Sequence, residues 1–473
     1  MSARVTGFWL GLAAFAATLI FPEPSGMEPA AWHVAGLVAW MAAWWMTEAV
    51  PLPATGLLPF VVQPLIGAGG AKEVAGDYYS PIIFLLLGGS FLALAIERTG
   101  LHRRLALAIL NAIGGRGGSF GLLLGFMLSA AVLSNIISNT STALIMMPMA
   151  LAVLAGGETA TADGSPPQSG MSGALPMGIA FAASIGGLGT IIGTPTNAIA
   201  VALIEESTGA TISFAMWAAF GVPLVLIGTP LAAWIIARVL RVADHPFDNS
   251  AARAALADAR GWSVAEKRLV WIIAITFLLW MTRPLYAPFL PDDGVTDGSI
   301  AVLAVLVLFM LPDGSGRQML DWKEANRAPW GVILMFGGGL ALAAGMTRSG
   351  LAGWVGEALL PLGALPIFVV ALAVVAIVVL VTEFASNVAT ASGFMPVVAS
   401  LAVALGGDPL FLALPAAFAA SWGFILPSGT GPNAIAWSTG RLTLPGLFKA
   451  GLTLDVAGCF LIVGVVWVVA SLL

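Results

Sequence analysis

Charged residues are scarce in this chain of 473 residues: aspartate, glutamate, lysine and arginine together make up 9% of it, whereas hydrophobic residues make up 59%. Soluble domains usually carry about a quarter charged residues. So few charges cannot cover a surface that faces water, which excludes an ordinary soluble protein. Cysteine is nearly absent too. Because Cys459 is the only one, an intrachain disulfide is also excluded.

The sequence also lacks the motifs of common enzymes and primary pumps. It has no phosphate-binding loop, no zinc-protease motif and no cysteine pair. One exception is the Gly-x-Ser-x-Gly pattern at 117–121, which keeps open the alternative of an intramembrane serine hydrolase with Ser119 as nucleophile. A glycine-rich turn is the simpler interpretation of the same residues.

Apolar segments, by contrast, are abundant. A bilayer core about 30 Å thick requires roughly 20 apolar residues per spanning helix. We therefore expect an all-α polytopic membrane protein with about eleven transmembrane helices, the first of them, within residues 1–30, being retained. The expected segments lie near 7–21, 31–50, 54–68, 80–96, 176–204, 212–240, 268–287, 298–312, 329–347, 409–439 and 449–472.

Two further apolar regions, 118–155 and 365–405, are too long for one crossing and too interrupted for two. Each has polar residues at its middle, SNIISNTST at 134–142 and TEFASNVAT at 382–390. Non-helical backbone at membrane depth is tolerated where protein or a water-filled cavity surrounds it. The pattern therefore predicts two re-entrant helical hairpins, whose central turns we call the first tip and the second tip.

The basic residues predict the orientation. With the N-terminus inside and eleven spans, sixteen lysines and arginines lie on the inside, and only Lys72, Arg283 and Arg348 lie outside. Positive charge concentrates on the cytoplasmic side of membrane proteins. We therefore expect a multi-pass inner (plasma) membrane protein with a cytoplasmic N-terminus and a cytoplasmic linker at 244–266.

The two halves of the chain resemble each other. IERTGL at 96–101 matches GMTRSGL at 345–351, and the polar centres of 118–155 and 365–405 align at an offset of 248. An odd number of crossings per unit inverts one copy relative to the other, which is typical of secondary transporters. We predict inverted repeats at 31–243 and 267–473, with a hairpin at 118–155 and a broken helix at 176–204 in the first, and a hairpin at 365–405 and a broken helix at 409–439 in the second.

Both tips carry residues suited to ion binding. The shared pattern is a serine or threonine, then Ser-Asn, then a threonine and a proline. Hydroxyl, amide and freed carbonyl oxygens can surround sodium, while amide and hydroxyl donors can hold a carboxylate. The two broken helices add GTPTN at 193–197 and GTGPN at 429–433. Glycine and proline interrupt a helix there and expose dipole ends that suit transported ions.

WWMTEAVPLPATGLLP at 44–59, SNT at 138–140, ASIGGLGTIIGTPTNAI at 183–199 and TEFASN at 382–387 resemble the divalent anion:sodium symporter family. The resemblance covers most of the chain in order. It implies a homodimer in the lipid bilayer, in which a fixed scaffold holds a transport domain that moves like an elevator.

The resemblance also implies the site residues. The first sodium site would use Ser134, Ser138, Asn139 and Gly193, and the second Thr382, Ala385, Asn387 and Gly429. The substrate carboxylates would lie near Asn139, Thr140, Thr194, Ser386, Asn387 and Thr430. Two departures from the family pattern fall at the expected substrate site. Val388 replaces a threonine, and Gly431 replaces a proline.

The expected function is sodium-coupled import of a small divalent anion, a C4-dicarboxylate such as succinate, malate or fumarate, with two or more sodium ions and no nucleic-acid partner. Neither 119–237 nor 349–440 contains a lysine or arginine, so mobile cations must offset the charge of a buried dianion. The alternatives within transporters are a sulfate or citrate carrier and a dicarboxylate exchanger. A channel is a further alternative.

Overall fold

The computed structural model describes residues 3–113, 118–157, 169–245, 247, 261–291, 294–406 and 408–472. These residues form 22 α-helices, joined by short 3₁₀ turns and loops. The helices are α1 Ala3–Ile20, α2 Pro29–Thr47, α3 Leu52–Thr55, α4 Leu58–Leu65, α5 Ala71–Asp77, α6 Pro81–Thr99, α7 Leu101–Ile113, α8 Gly118–Ser134, α9 Asn139–Gly157, α10 Gly170–Gly186, α11 Pro195–Thr208, α12 Phe214–Val239, α13 Val264–Tyr286, α14 Asp297–Met310, α15 Trp322–Ala325, α16 Trp330–Arg348, α17 Leu351–Leu359, α18 Ile367–Thr382, α19 Asn387–Ala404, α20 Leu410–Ala419, α21 Gly431–Ser438 and α22 Leu444–Ala470.

Nine helical segments in the described part of the chain are long and apolar enough to cross a bilayer, and shorter apolar helices accompany them. Their outer faces carry large apolar side chains such as Trp9, Trp271 and Phe460, each more than half exposed. Such surfaces suit lipid rather than water. The prediction of an all-helical polytopic membrane protein is confirmed. The division into repeats and the linker at 244–266 stay predictions, and residues 248–260 of that linker lie outside the described residues.

Helix α10 lies at the centre of the molecule, and every one of its residues is buried. It packs against α8, α9, α12 and α21. Its sequence, GMSGALPMGIAFAASIG, is rich in glycine and alanine, and small residues let neighbouring helices approach closely. This packing holds the first tip, between α8 and α9, against the end of α10.

Repeat-related arginines make matching contacts in the two halves of the chain. Arg98, at the end of α6, donates a hydrogen bond to the carbonyl of Gln318 at 3.0 Å. Arg348, at the end of α16, donates one to the carbonyl of Ala68, also at 3.0 Å. Donors and acceptors are each 250 positions apart. Each arginine therefore binds a loop of the other half, which interlocks the two halves of the chain.

One end of the molecule gathers many of the basic residues. Arg104, on α7, forms an ion pair of 3.0 Å with Glu266 at the start of α13. Arg441, after α21, lies 2.5 Å from the hydroxyl of Ser172 at the start of α10. Together with Arg98 these contacts define what we call the basic end. The sequence assigns this end to the cytoplasm, and its sidedness stays a prediction.

Candidate functional site

The first tip is a break of four residues between α8 and α9. The hydroxyl oxygen of Ser134 lies 2.7 Å from Oδ1 of Asn139 and 2.6 Å from the carbonyl oxygen of Ala183, at the end of α10. Three oxygens thus share one hydroxyl proton. Such an oxygen-rich, proton-poor group is chemically suited to a small cation.

The second tip repeats this geometry. The hydroxyl oxygen of Thr382 lies 2.9 Å from Oδ1 of Asn387 and 2.7 Å from the carbonyl oxygen of Ala420. The two triads occupy equivalent positions, because Thr382 and Asn387 follow their counterparts in the first tip by 248 residues. The serine or threonine of each tip therefore contacts the asparagine five residues later in both halves.

Glycines allow the broken helix to approach the first tip. A β-carbon built on Gly187 would lie 2.3 Å from Oδ1 of Asn139, and one on Gly193 would lie 2.4 Å from the carbonyl oxygen of Gly187. A side chain at Gly187 would displace the side chain of Asn139, and one at Gly193 would push apart the main chain of the break. Asn197 then fixes the break, because its amide donates to the carbonyls of Gly187 and Thr190, both at 2.8 Å.

Buried side-chain oxygens without hydrogen-bond partners lie next to both tips. In the described part of the chain they include three repeat-related pairs: Thr142 and Thr390, Ser184 and Ser421, and Asn197 and Asn433. None of these six residues is more than 1% exposed. A buried polar atom left without a partner costs about 1–3 kcal/mol. A bound cation such as sodium would satisfy these oxygens. Oxygen is a hard ligand, which is the kind that sodium prefers.

Several predicted site residues serve as helix caps. Ser138 accepts the N–H of Ser141 at 3.1 Å, and Ser386 accepts the N–H of Ala389 at 3.2 Å, so each caps the second arm of its hairpin. Thr430 likewise caps α21. An N-cap side chain orients the exposed N–H groups of the first helical turn. These residues therefore orient the N–H groups at the starts of α9, α19 and α21.

The remaining predicted site residues lie in the broken helices and in the second tip. Thr194, which is 6% exposed, precedes α11, and its hydroxyl is 3.4 Å from that of Thr196. Ala385 is buried in the turn of the second tip, and its N–H donates to the carbonyl of Val381 at 3.0 Å. Gly429 is half-buried, and a β-carbon there would lie 3.5 Å from the main-chain oxygen of Glu383.

The two departures from the family pattern lie in different surroundings. Gly431 faces the first tip, since a β-carbon there would lie 2.4 Å from Oγ1 of Thr140. Val388 instead packs against an apolar cluster formed by α2, α4, α16 and α19. This cluster includes Trp45 on α2 and Met335 and Leu342 on α16. Position 431 therefore bears on the residues expected to contact substrate, whereas Val388 contributes to helix packing.

Glu383 organises the second broken helix. Its two carboxylate oxygens accept the N–H groups of Ile425 and Leu426 at 2.9 and 3.0 Å. The amide of Asn433 donates to the carbonyl of Leu426 at 3.1 Å. These bonds are the contacts that a scaffolding role for Glu383 requires.

Sequence reasoning did not select Ser184 and Ser421, which follow directly after the carbonyls that receive the tip hydroxyls. The signal that could have identified them is their spacing of 237, close to the offset of 236 between the two broken helices. Thr142 and Thr390 were aligned between the repeats but were not assigned to a site. Ser119 lies in the first turn of α8 rather than at a strand-to-helix turn, so the geometry of a serine nucleophile is missing.

A family model described as the sodium:sulfate symporter transmembrane region matches residues 2–473. The chain belongs to the sodium:sulfate symporter family. This confirms the resemblance to divalent anion:sodium symporters, and it makes the protein a membrane transporter rather than an enzyme. The hydrolase alternative at Ser119 is therefore wrong.

Relatives within the symporter family match nearly the whole chain. The sodium-dependent dicarboxylate transporter SdcS of Staphylococcus saprophyticus is 36% identical over 474 residues, covering 98% of this chain and 91% of that protein. The protein of the same name from Staphylococcus aureus strain USA300 is 36% identical over 477 residues with the same coverage. The Alcanivorax borkumensis YdaH transporter, a solved structure, shares the fold with a TM-score of 0.58 at 15% identity over 99% of this chain and 98% of that one.

Proposed function

We propose that this chain is a sodium-coupled symporter that imports a small dicarboxylate such as succinate, malate or fumarate. The observation that carries the proposal is the set of six buried oxygens without partners, which occur as three repeat-related pairs beside the two tips. The names of the relatives support both the cation and the substrate class.

The chemistry of the coupling follows from charge. A dianion taken out of water requires compensating positive charge, and helix N-termini supply only about half a charge each. Among the predicted site residues of both tips and both broken helices there is no lysine, arginine or histidine. Sodium ions bound by the two oxygen groups would supply that charge, so that anion and cations move together.

The proposal extends to architecture. The repeats at 31–243 and 267–473 would form two inverted units, the chain would pair as a homodimer in the inner membrane, and a transport domain carrying both tips would move as an elevator. Interlocking of the halves by Arg98 and Arg348 supports the two-unit arrangement. Cross-linking of single cysteines in membranes would test the dimer, and the accessibility of cysteines at the basic end would test the orientation.

The experiment that tests the function is uptake of radiolabelled succinate into proteoliposomes with an inward sodium gradient. We expect uptake to stop when choline replaces sodium at constant pH. Asn139→Ala and Asn387→Ala should each abolish uptake because each removes an oxygen from a triad, whereas Ser141→Ala should retain most of it. Robust uptake without sodium would contradict the proposal.

Sulfate is a second candidate substrate because the family description names it, and citrate is a third. Competition distinguishes them: unlabelled succinate, malate and fumarate should inhibit uptake of labelled succinate more strongly than sulfate or citrate does. Stronger inhibition by sulfate would indicate that sulfate is the substrate instead.

A further inference from the structure

A cavity of about 260 Å³ connects the first tip to the basic end. The first tip contributes Ser138 to its wall, and the first broken helix contributes Gly193. The outer part of the wall comes from Glu97, near the end of α6, and from Arg327, between α15 and α16. The cavity is therefore a path by which an anion could reach the first tip.

Among the described residues that line this cavity, Arg327 is the only lysine or arginine. Its side chain is 70% exposed, and its Nη2 lies 3.9 Å from Oε2 of Glu97, whose side chain is 23% exposed. That separation exceeds hydrogen-bond length. Within the described chain, its guanidinium donates no hydrogen bond to a side chain. The five N–H donors of this arginine are thus available to an incoming carboxylate.

The repeat-related position of the other half carries no arginine. At the offset of 250 that relates Arg98 to Arg348, Arg327 corresponds to Asp77 and Glu97 corresponds to Thr347. Asp77 is bound by two nitrogens of Arg348 at 3.1 and 2.7 Å. The repeat-related position of the other half therefore holds a paired carboxylate where Arg327 holds an available guanidinium.

We propose that Arg327 is an anion-docking residue at the basic end, which binds one carboxylate of the substrate on its way between the first tip and the cytoplasm. This inference rests on the proposed function and adds a site to it. A guanidinium matches a carboxylate with two parallel hydrogen bonds. Glu97 competes for the same guanidinium, so that Arg327 exchanges one carboxylate for the other instead of trapping the substrate.

The test compares substrate affinity from the two sides of the membrane. Sodium-dependent transport of radiolabelled succinate is measured in right-side-out and inside-out vesicles. We expect Arg327→Gln to raise the KM about tenfold at the face that exposes the basic end and to leave the KM at the other face unchanged. Arg327→Lys should give a smaller rise, and Glu97→Gln should lower the KM at the same face.

Lys323→Gln provides the matched control. Lys323 is an exposed residue of the same short segment and carries the same charge, but it does not line the cavity. Its KM should be unchanged at both faces. Labelling of K323C by an impermeant thiol reagent, in a Cys459→Ser background, identifies the face that carries the basic end.

The outcomes separate the two proposals. Wild-type transport that does not depend on sodium would overturn the symport function and, with it, the docking site. Sodium-dependent wild-type transport with an unchanged KM in Arg327→Gln, or with equal changes at both faces, would overturn the docking site alone. A KM raised equally by Lys323→Gln would also overturn it, because general surface charge would then account for the effect.

Discussion

Thr140 of the first tip and Gly431 at the start of α21 approach so closely that a β-carbon on Gly431 would lie 2.4 Å from the hydroxyl oxygen of Thr140. The two residues belong to different halves of the chain. Their contact brings the first tip against the second broken helix, so that groups from both halves of the chain lie side by side.

Gly431→Ala should displace this hydroxyl. The new methyl group meets the end of a side chain that can rotate, so we expect normal folding but a several-fold rise in the KM for succinate. Gly393→Ala is the matched control, because a β-carbon there meets no atom within 4 Å. A KM for Gly431→Ala equal to that of the control would show that Thr140 does not contact the substrate.

Thr142→Val and Thr390→Val each remove one unpartnered oxygen while keeping the shape of the side chain. If these oxygens bind sodium, the half-saturating sodium concentration of uptake should rise by about tenfold, as expected for about 1–2 kcal/mol. In sodium-free buffer both variants should melt at or above the wild-type temperature, since a buried polar group without a partner has been removed.

Thr229→Val is the control for these two variants. Its hydroxyl is also buried without a partner, but it lies on α12 outside the repeat-related set. We expect no change in sodium dependence. Equal sodium curves for all three variants would contradict the assignment of sodium to the tips.

Glu383→Gln should weaken sodium binding at the second tip. A glutamine offers one oxygen and one NH₂ to the N–H groups of Ile425 and Leu426, so one of the two bonds is lost. A hydrogen bond to a charged group contributes about 1.5–3 kcal/mol, which corresponds to at least a tenfold rise in half-saturating sodium. Glu48→Gln, at an exposed carboxylate, should leave the sodium curve unchanged. An unaltered sodium dependence of uptake in Glu383→Gln would contradict the organising role of Glu383.

Arg348→Gln should destabilise the fold. The variant leaves Asp77 without its bidentate partner in a place where the two side chains are 22% and 16% exposed. Breaking a largely buried ion pair costs about 3 kcal/mol, and thermal unfolding in detergent would measure it. Arg4→Gln breaks an exposed pair with Glu48 and should cost less than about 1 kcal/mol. Equal losses in the two variants would refute the interlocking role of Arg348.

Low pH should weaken the ion pair that Arg98 forms with Asp313 at the basic end. Hydrogen bonds from Ser315, together with the guanidinium of Arg98, hold the pKa of Asp313 well below its usual value. Because the folded-state pKa is lowered, the stabilisation is present above the ordinary aspartate pKa of about 4. It is lost as the pH falls below that value. Asp313→Asn should flatten this acid limb of the stability profile, and an unchanged limb would contradict the assignment.

The sequence alone determined the membrane-embedded helical fold, because low charge and repeated apolar segments leave lipid as the only suitable solvent. It also identified both tips and both broken helices, since Ser-Asn and Gly-Thr patterns recur at nearly constant offsets. It named Ser134, Asn139, Thr382 and Asn387 among the candidate residues, and the structure shows that they contact each other in pairs.

Only the tertiary structure decided which distant groups complete each site. Ser184 and Ser421 look ordinary in sequence, and they join the tips because α10 and α20 end beside them. The approach of Thr140 to Gly431 and the packing of Val388 away from that contact have the same cause. So does the position of Arg327 in the wall of the cavity that Ser138 also lines. Packing between helices from different parts of the chain sets these distances, and no local pattern of residues encodes them.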